Sequence, residues 1–132
     1  FITRILNKKF PIHLTKGTQK RDFIYIDDVV SAISLIIKYS EKKKKGIENF
    51  EIGTGKSISI KKFVSVTAQL CNVNPNKVIK FGSYKLRKNE PMDIKIDINK
   101  LKKIGWKPKC DLKYSLINTI KYYAHKNFFK NL

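Results

Sequence analysis

Apolar residues recur along the chain in short blocks whose spacing alternates between helical and extended periods. Helical spacing predicts the end of a helix within residues 1–10 and further helices over 28–40, about 60–71, 98–104 and about 112–127. Runs of β-forming residues predict short strands over 12–14, 23–26, 50–52 and 78–81. Because strands and helices alternate, we predict a mixed α/β fold rather than a helical bundle or a β-sandwich.

Polar residues mark several of the predicted element boundaries. Asp27 and Asp28 follow a predicted strand and should cap the helix over 28–40, because a helix N-terminus stabilises negative charge. Two carboxylates could also form an acid/base pair or bind a metal, but adjacent residues of one element do not converge on a single point. Ser57 and Ser59 are candidate caps for the helix that follows them.

Gly53-Thr54-Gly55 lies between a predicted strand and a predicted helix, which is also where phosphate-binding loops occur. The sequence lacks the remaining glycine of a dinucleotide fingerprint. Gly55-Lys56-Ser57 matches the end of a P-loop motif, but Phe50 stands where that motif has its first glycine. We therefore interpret it as a structural turn, with phosphate binding as the alternative.

The chain is strongly basic, with 29 Lys and Arg against 10 Asp and Glu and a formal net charge of +19. Such an excess is typical of nucleic-acid-binding proteins. Here it consists of 26 lysines and three arginines, and Lys, Ile and Asn make up 55 of the 132 residues, as expected from an AT-rich genome. Base recognition relies on the bidentate guanidinium of arginine. The lysine run over 42–45 is typical of a solvated helix C-terminus, so nucleic acid is only the alternative partner.

The length of 132 residues and a hydrophobic content of 42% favour one folded domain with a packed core. No segment contains the roughly 18 uncharged apolar residues of a membrane span. The first ten residues carry Arg4, Lys8 and Lys9, so the sequence indicates no signal peptide. We therefore expect a cytoplasmic protein that does not associate with a membrane.

The cysteines and histidines predict neither a disulfide framework nor a metal site. Cys71 and Cys110 are far apart and form no C-x-x-C pair, so we expect two buried thiols. His13 and His125 have no acidic or cysteine partner at the spacing of metal ligands.

The scarcity of arginine makes its positions informative. Arg21 lies just before a predicted strand, and Arg87 lies in the stretch over 82–93, which has no clear periodicity. In a chain that otherwise uses lysine, a retained arginine suggests a need for a planar bidentate donor to a diphosphate or a carboxylate. The alternative is a surface ion pair with Asp22 or Glu90, and the residues alone leave both interpretations open.

Four blocks of the sequence carry a family resemblance. They are QKRDFIYIDDVVSAI (19–33), NFEIGTGKSISI (49–60), RKNEPMDIKIDINKLKKIGWKP (87–108) and LKYSLINTIKYY (112–123). In this order they resemble the C-terminal portion of extended short-chain dehydrogenases, the NAD-dependent epimerase/dehydratase enzymes that act on nucleotide sugars. The resemblance covers nearly all of residues 1–127.

The resemblance implies that residues 1–132 are the C-terminal substrate-binding portion of a longer enzyme. In that family an N-terminal Rossmann half carries the glycine-rich NAD fingerprint, the catalytic Ser/Thr and the Tyr-x-x-x-Lys pair, and none of them occurs here in a matching context. Tyr122 and Lys126 have the spacing of the pair, but they fall in the predicted C-terminal helix, where the family has no catalytic tyrosine. Residues 22–40 and 49–71 would then pack against the absent sheet. The intact enzyme would use NAD or NADP, and we expect this chain alone to bind no cofactor and to carry no catalytic residue.

The resemblance also assigns a role to the two informative arginines. Arg21 matches the arginine of an R-D-F/W/Y-x-Y-V-x-D block, and Arg87 matches that of an R-x-G-D/E-P block, which also contains Glu90. In the family these arginines grip the diphosphate of the sugar nucleotide.

Three further positions match the part of the family site that holds the nucleotide. Ile12 to Leu14 match a short strand along the base and ribose, and Leu14 stands where several relatives have an aromatic residue. Glu51 stands where relatives commonly have Asn. Because its carboxylate would repel a diphosphate, either Glu51 points elsewhere or the substrate is placed differently.

The resemblance therefore implies the nucleotide-sugar-binding part of an NAD(P)-dependent epimerase, dehydratase or reductase from a bacterial surface-polysaccharide pathway. The intact enzyme would transfer a hydride at C4 of the sugar. Expected partners are a nucleoside-diphosphate sugar, the absent N-terminal half and a second copy of the protein. Two alternatives remain open: a basic nucleic-acid-binding domain, and a non-catalytic remnant that self-associates through an uncovered apolar face.

Overall fold

The computed structural model describes residues 1–42 and 46–130, with the backbone alone at 126–130, so most of the lysine run lies outside the described residues. The helices are α1 (Ile2–Leu6), α2 (Ile26–Lys42), α3 (Ile60–Leu70), α4 (Pro75–Val78), α5 (Asn99–Lys103) and α6 (Leu112–Lys130). The strands are β1 (Ile12–His13), β2 (Lys20–Arg21), β3 (Ile58–Ser59) and β4 (Ile79–Lys80). The predicted mixed α/β class is confirmed. No helix in the described residues is long and apolar enough to cross a bilayer.

The strands of the described residues form two small sheets. β1 and β4 pair in parallel with Ile12 opposite Ile79, whereas β2 and β3 pair antiparallel with Arg21 opposite Ile58. A single bridge joins Lys20 to Asp93 on the other side of β2. β2 therefore runs between β3 and the segment that follows Arg87.

Two of the predicted strands, over 23–26 and 50–52, are wrong. A run of β-forming residues becomes a strand only where a neighbouring strand takes up its backbone hydrogen bonds. In the described part of the chain no strand lies beside these two segments. Their apolar side chains contribute to the core instead: Ile24, Phe50 and Ile52 all pack around Trp106 and its neighbours.

The core consists of two clusters of buried residues. The first contains Ile5, Ile12, Val64, Ala68 and Ile79, and it brings α1 and α3 onto the β1–β4 sheet. The second contains Ala32, Ile98, Leu101 and Trp106, and it packs α2 against α5 and the turn after it. Residues 17–22 lie between the clusters. The carbonyls of Gly17 and Gln19 accept hydrogen bonds from the first residues of α3, which attaches this segment to the first cluster.

α2 is apolar on two faces. Its inner face carries Ala32, Leu35 and Ile36 into the second cluster. A second row, which we call the outer stripe, consists of four side chains that are each at least 45% exposed: Ile26, Val30, Ile33 and Ile37. A helix that is apolar on both sides is typical of the interior of a larger protein.

The predicted cap formed by Asp27 and Asp28 needs correction. α2 begins two residues earlier than predicted, at Ile26, so both carboxylates lie in its first turn. Asp28 is only 2% exposed, and its two oxygens accept hydrogen bonds from the backbone amides of Lys109 (2.9 Å) and Cys110 (3.0 Å). Its carboxylate therefore binds a distant loop, which a reading of local sequence could not show. Asp27 is exposed in the first turn, where negative charge is favourable.

Replacing Asp28 with Asn should destabilise the fold, because an amide offers one acceptor atom where the two loop amides use two. We expect the free energy of unfolding, measured by urea denaturation, to fall by about 1–3 kcal/mol. Asp27→Asn removes the same charge from the exposed neighbouring position and should change it by less than about 1 kcal/mol. Equal losses in the two variants would contradict the role given to Asp28.

Candidate functional site

β2 places the first of the two informative arginines at the junction of three segments. Lys20 makes two backbone hydrogen bonds to the segment after residue 91. Its amide donates to the Met92 carbonyl (2.7 Å), and its carbonyl accepts from the Ile94 amide (3.2 Å). Arg21 follows directly and pairs with Ile58 of β3. β2 is therefore held on two sides, by the segment after residue 91 at Lys20 and by β3 along its other edge.

The guanidinium of Arg21 binds the segment at 90–91. Its Nη1 donates to the carbonyls of Lys20 and Pro91, each at 2.7 Å, and its Nη2 forms an ion pair with the Glu90 carboxylate. Both side chains of the pair are mostly shielded, with 23% of Arg21 and 21% of Glu90 exposed. Of the two ion pairs considered from the sequence, the one with Glu90 is present, and Asp22 binds elsewhere.

A turn connects the two arginines. The Glu90 amide donates to the Arg87 carbonyl at 3.1 Å, and Asn89 lies in the left-handed region at φ +60°, a conformation that Asn tolerates. The side chain of Arg87 is exposed. The structure therefore places Arg87 at the start of the turn and the ion-pair partner of Arg21 at its end.

Asp22 binds the Gly53-Thr54-Gly55 loop. Its carboxylate accepts hydrogen bonds from the Thr54 amide (2.9 Å), the Gly55 amide (2.8 Å) and the Thr54 hydroxyl (2.5 Å). A longer contact of 3.5 Å reaches the Ile96 amide in the second cluster. We call this arrangement the Asp22 clamp. The interpretation of the loop as a structural turn is confirmed, because its amides bind a carboxylate of the same chain.

Gly53 allows the clamp to close. A Cβ atom at this position would lie 2.5 Å from Cβ of Ile96 and 2.9 Å from Oδ2 of Asp22, distances that side chains do not tolerate. The close approach of the loop to Asp22 and Ile96 therefore requires glycine at residue 53.

The clamp was missed in the sequence, although two signals for it were present. An acidic residue directly follows a scarce arginine, and a Gly-x-Gly turn of the kind that binds anions occurs farther along the chain. Neither signal shows that the two segments meet, because 32 residues separate Asp22 from Thr54.

The other sequence-predicted site residues lie in different environments. Ile12 is buried in the first cluster, so only its backbone could lie along a ligand, and Leu14 packs half-buried against the same cluster. Glu51 is exposed, and its carboxylate accepts a hydrogen bond from the Asp97 amide at 3.3 Å. Of the two alternatives for Glu51, the structure supports the one in which the side chain points toward another segment.

The cysteines and His13 have surroundings that do not favour nucleophilic or metal chemistry. Both cysteines are half-buried, not buried as predicted. Partial burial raises the pKa of both thiols, and the neighbouring Asp28 carboxylate raises the pKa of Cys110 further, which keeps the thiols protonated. Nδ1 of His13 lies 2.9 Å from the Ser83 hydroxyl. Among the described residues no group of three or more His, Cys, Asp or Glu side chains could hold a metal ion.

Replacing Asp22 with Asn should weaken the clamp, because the new amide group would face donors instead of accepting from them. We expect the free energy of unfolding to fall by about 2–3 kcal/mol in urea denaturation. Asp93→Asn is the matched control, since Asp93 is exposed and binds Ser57 and Lys20 at the surface. It should cost less than about 1 kcal/mol. A loss no larger for Asp22→Asn than for the control would show that the clamp does not hold the fold.

Comparisons with known proteins identify relatives of this chain. Residues 1–119 match the family model described as GDP-mannose 4,6 dehydratase. Among curated proteins, the CDP-abequose synthase of Salmonella typhimurium is 33% identical over 122 residues, which cover 92% of this chain and 40% of that protein.

Solved structures agree with the match. The UDP-glucose 4-epimerase of Thermotoga maritima, crystallised with UDP-glucose, superposes with a TM-score of 0.78 at 28% identity, over 96% of this chain and 38% of that one. The protein MoeE5 in complex with UDP-glucuronic acid and NAD gives a TM-score of 0.77 at 26% identity, over 96% and 42%. The chain therefore spans less than half the length of each of these relatives.

Proposed function

Because the chain belongs to the GDP-mannose 4,6 dehydratase family of extended short-chain dehydrogenases, we propose that it is the substrate-binding portion of an NAD(P)-dependent nucleotide-sugar enzyme. The observation that carries the proposal is the placement of Arg21, a scarce arginine on a strand that is held by two segments, whose guanidinium is fixed by two carbonyls. The reaction of the whole enzyme is an epimerisation, a dehydration or a reduction of the sugar.

The proposed ligand is a nucleoside-diphosphate sugar. The Thermotoga maritima and MoeE5 structures contain UDP-sugars, and the Salmonella relative is named for a CDP-sugar. A planar guanidinium makes paired, charge-assisted hydrogen bonds to phosphoryl oxygens, which a lysine ammonium cannot reproduce. The proposed substrate contacts come from residues that the sequence resemblance names: Arg21, Arg87, Leu14 and the backbone of Ile12. The resemblance also names Glu51 and Glu90, whose carboxylates bind the Asp97 amide and Arg21 instead.

In this proposal the chain binds and orients the substrate and performs no chemistry alone. The Gly53-Thr54-Gly55 loop holds no cofactor phosphate in this proposal, because its amides already bind Asp22. NAD or NADP and the hydride transfer therefore belong to the rest of the enzyme. A cytoplasmic location is part of the same proposal.

The outer stripe of α2 supports a second part of the proposal. A row of exposed Ile and Val side chains on a helix is unfavourable in water, and the chain spans only 40% of its Salmonella relative. We propose that the stripe packs against an N-terminal NAD-binding half, for which residues 1–132 are the C-terminal portion. The coding sequence upstream of Phe1 tests this directly. It should contain a glycine-rich fingerprint and a Tyr-x-x-x-Lys pair, and an upstream region with neither would contradict the proposal.

Binding of UDP and UDP-glucose by isothermal titration calorimetry tests the substrate site. Arg21→Gln and Arg87→Gln should each weaken binding about tenfold or more, because each removes charge-assisted hydrogen bonds to the diphosphate. Arg4→Gln removes the same charge from an exposed position in α1 and should leave binding within about twofold of the wild type.

Two results would contradict the substrate site. One is unchanged binding in Arg87→Gln, an exposed position whose replacement should not disturb folding. The other is tight, steeply salt-dependent binding of a DNA duplex that UDP-sugars do not displace, which would favour the nucleic-acid alternative.

The outer stripe should also govern self-association of the chain. In light scattering the isolated wild-type chain should form oligomers, and Ile33→Gln combined with Ile37→Gln should shift it toward the monomer, because the stripe loses its apolar surface. Ser34→Gln, on the same helix, should leave the distribution unchanged. A wild-type chain that is strictly monomeric at high concentration would show that the stripe needs no cover.

A further inference from the structure

We propose that Glu90 sets the affinity of the anion site, by holding Arg21 in an ion pair that an incoming diphosphate must break. This inference rests on the proposed function, in which Arg21 binds the diphosphate. In this inference Glu90 competes with the ligand for Arg21. This competition makes the site select ligands of high negative charge.

The Glu90 carboxylate is held against Arg21 by the local backbone. The Glu90 amide closes the turn that begins at Arg87, and the next residue, Pro91, offers its carbonyl to the same guanidinium. More than three quarters of each side chain in the ion pair is shielded from solvent. A shielded pair is screened less by water and salt than an exposed one, so its separation has a measurable cost.

Arg21 has few N–H donors, so Glu90 and a bound phosphoryl group must compete for them. A guanidinium has five N–H groups. Nη1 donates hydrogen bonds to two carbonyls, and Nη2 donates to the Glu90 carboxylate. A bidentate phosphoryl group would have to use Nη2 together with Nε, because the carbonyls are fixed parts of the backbone. Its oxygens would then lie beside the Glu90 carboxylate, and repulsion between like charges at this distance favours departure of the carboxylate.

The competition has a consequence for selectivity. A ligand with a single negative charge gains from Arg21 about what is lost when Glu90 leaves, so it gains little net affinity. A diphosphate carries more charge and, in the proposed function, also binds Arg87, which is exposed at the other end of the turn. Glu90 therefore discriminates against carboxylates and other singly charged anions, whereas a purely structural ion pair would have no such effect.

Titration calorimetry with inorganic pyrophosphate tests the inference without any contribution from a base or a sugar. Glu90→Gln keeps a hydrogen-bond acceptor but removes the charge, so the Kd for pyrophosphate should fall about three- to tenfold. Glu41→Gln makes the same charge change at an exposed position on α2 and should alter Kd by less than about twofold. Thermal unfolding of each variant verifies that the chains compared are folded.

Two further variants distinguish the outcomes. Glu90→Asp keeps the charge and should not tighten binding as Glu90→Gln does; equal tightening would overturn the inference, because charge would not be its cause. If Arg21→Gln abolishes pyrophosphate binding while Glu90→Gln leaves it unchanged or weaker, the competitor role fails and the proposed function stands. If Arg21→Gln leaves binding unchanged, the diphosphate role of Arg21 fails and the inference fails with it.

Discussion

The hydrogen bonds between the Asp22 carboxylate and the Gly53-Thr54-Gly55 loop are the interaction on which the arrangement of the chain depends. Residues 17–20 attach to the start of α3 and to the segment after residue 91, whereas the loop and Ile96 belong with the second core cluster. One carboxylate therefore joins the two clusters. It can do so because Gly53 has no side chain, which lets the loop amides approach Asp22 closely.

A few acidic residues hold distant segments of the chain together, although the net charge is +19. Asp22 and Asp28 each bind two backbone amides from segments distant in sequence, and Glu90 holds Arg21. Adjacent residues Arg21 and Asp22 thus bind opposite partners, one toward the turn at 87–91 and the other toward the loop at 53–55. The many exposed lysines contribute to solubility and to long-range fields rather than to this arrangement.

Sequence reasoning predicted the parts of the fold that depend on local periodicity. α2, α3 and α6 lie close to the predicted helices because each presents several turns of an apolar face. The strands predicted over 23–26 and 50–52 are wrong because a strand also requires a neighbour. β2 was missed since Lys20 and Arg21 are polar, and the role of Asp28 depends on a loop about 80 residues away. For the site, the sequence identified Arg21 and its ion-pair candidates, but only the fold decides between Asp22 and Glu90.

A crystal structure of the chain with bound UDP would test the central claim most directly, namely that Arg21, held in place by its neighbours, binds a diphosphate. We expect phosphoryl oxygens within hydrogen-bond distance of the Arg21 guanidinium, the Glu90 carboxylate turned away from it, and Asp22 still bound to the amides of Thr54 and Gly55. A diphosphate bound elsewhere on the chain, with the ion pair between Arg21 and Glu90 intact, would contradict the account.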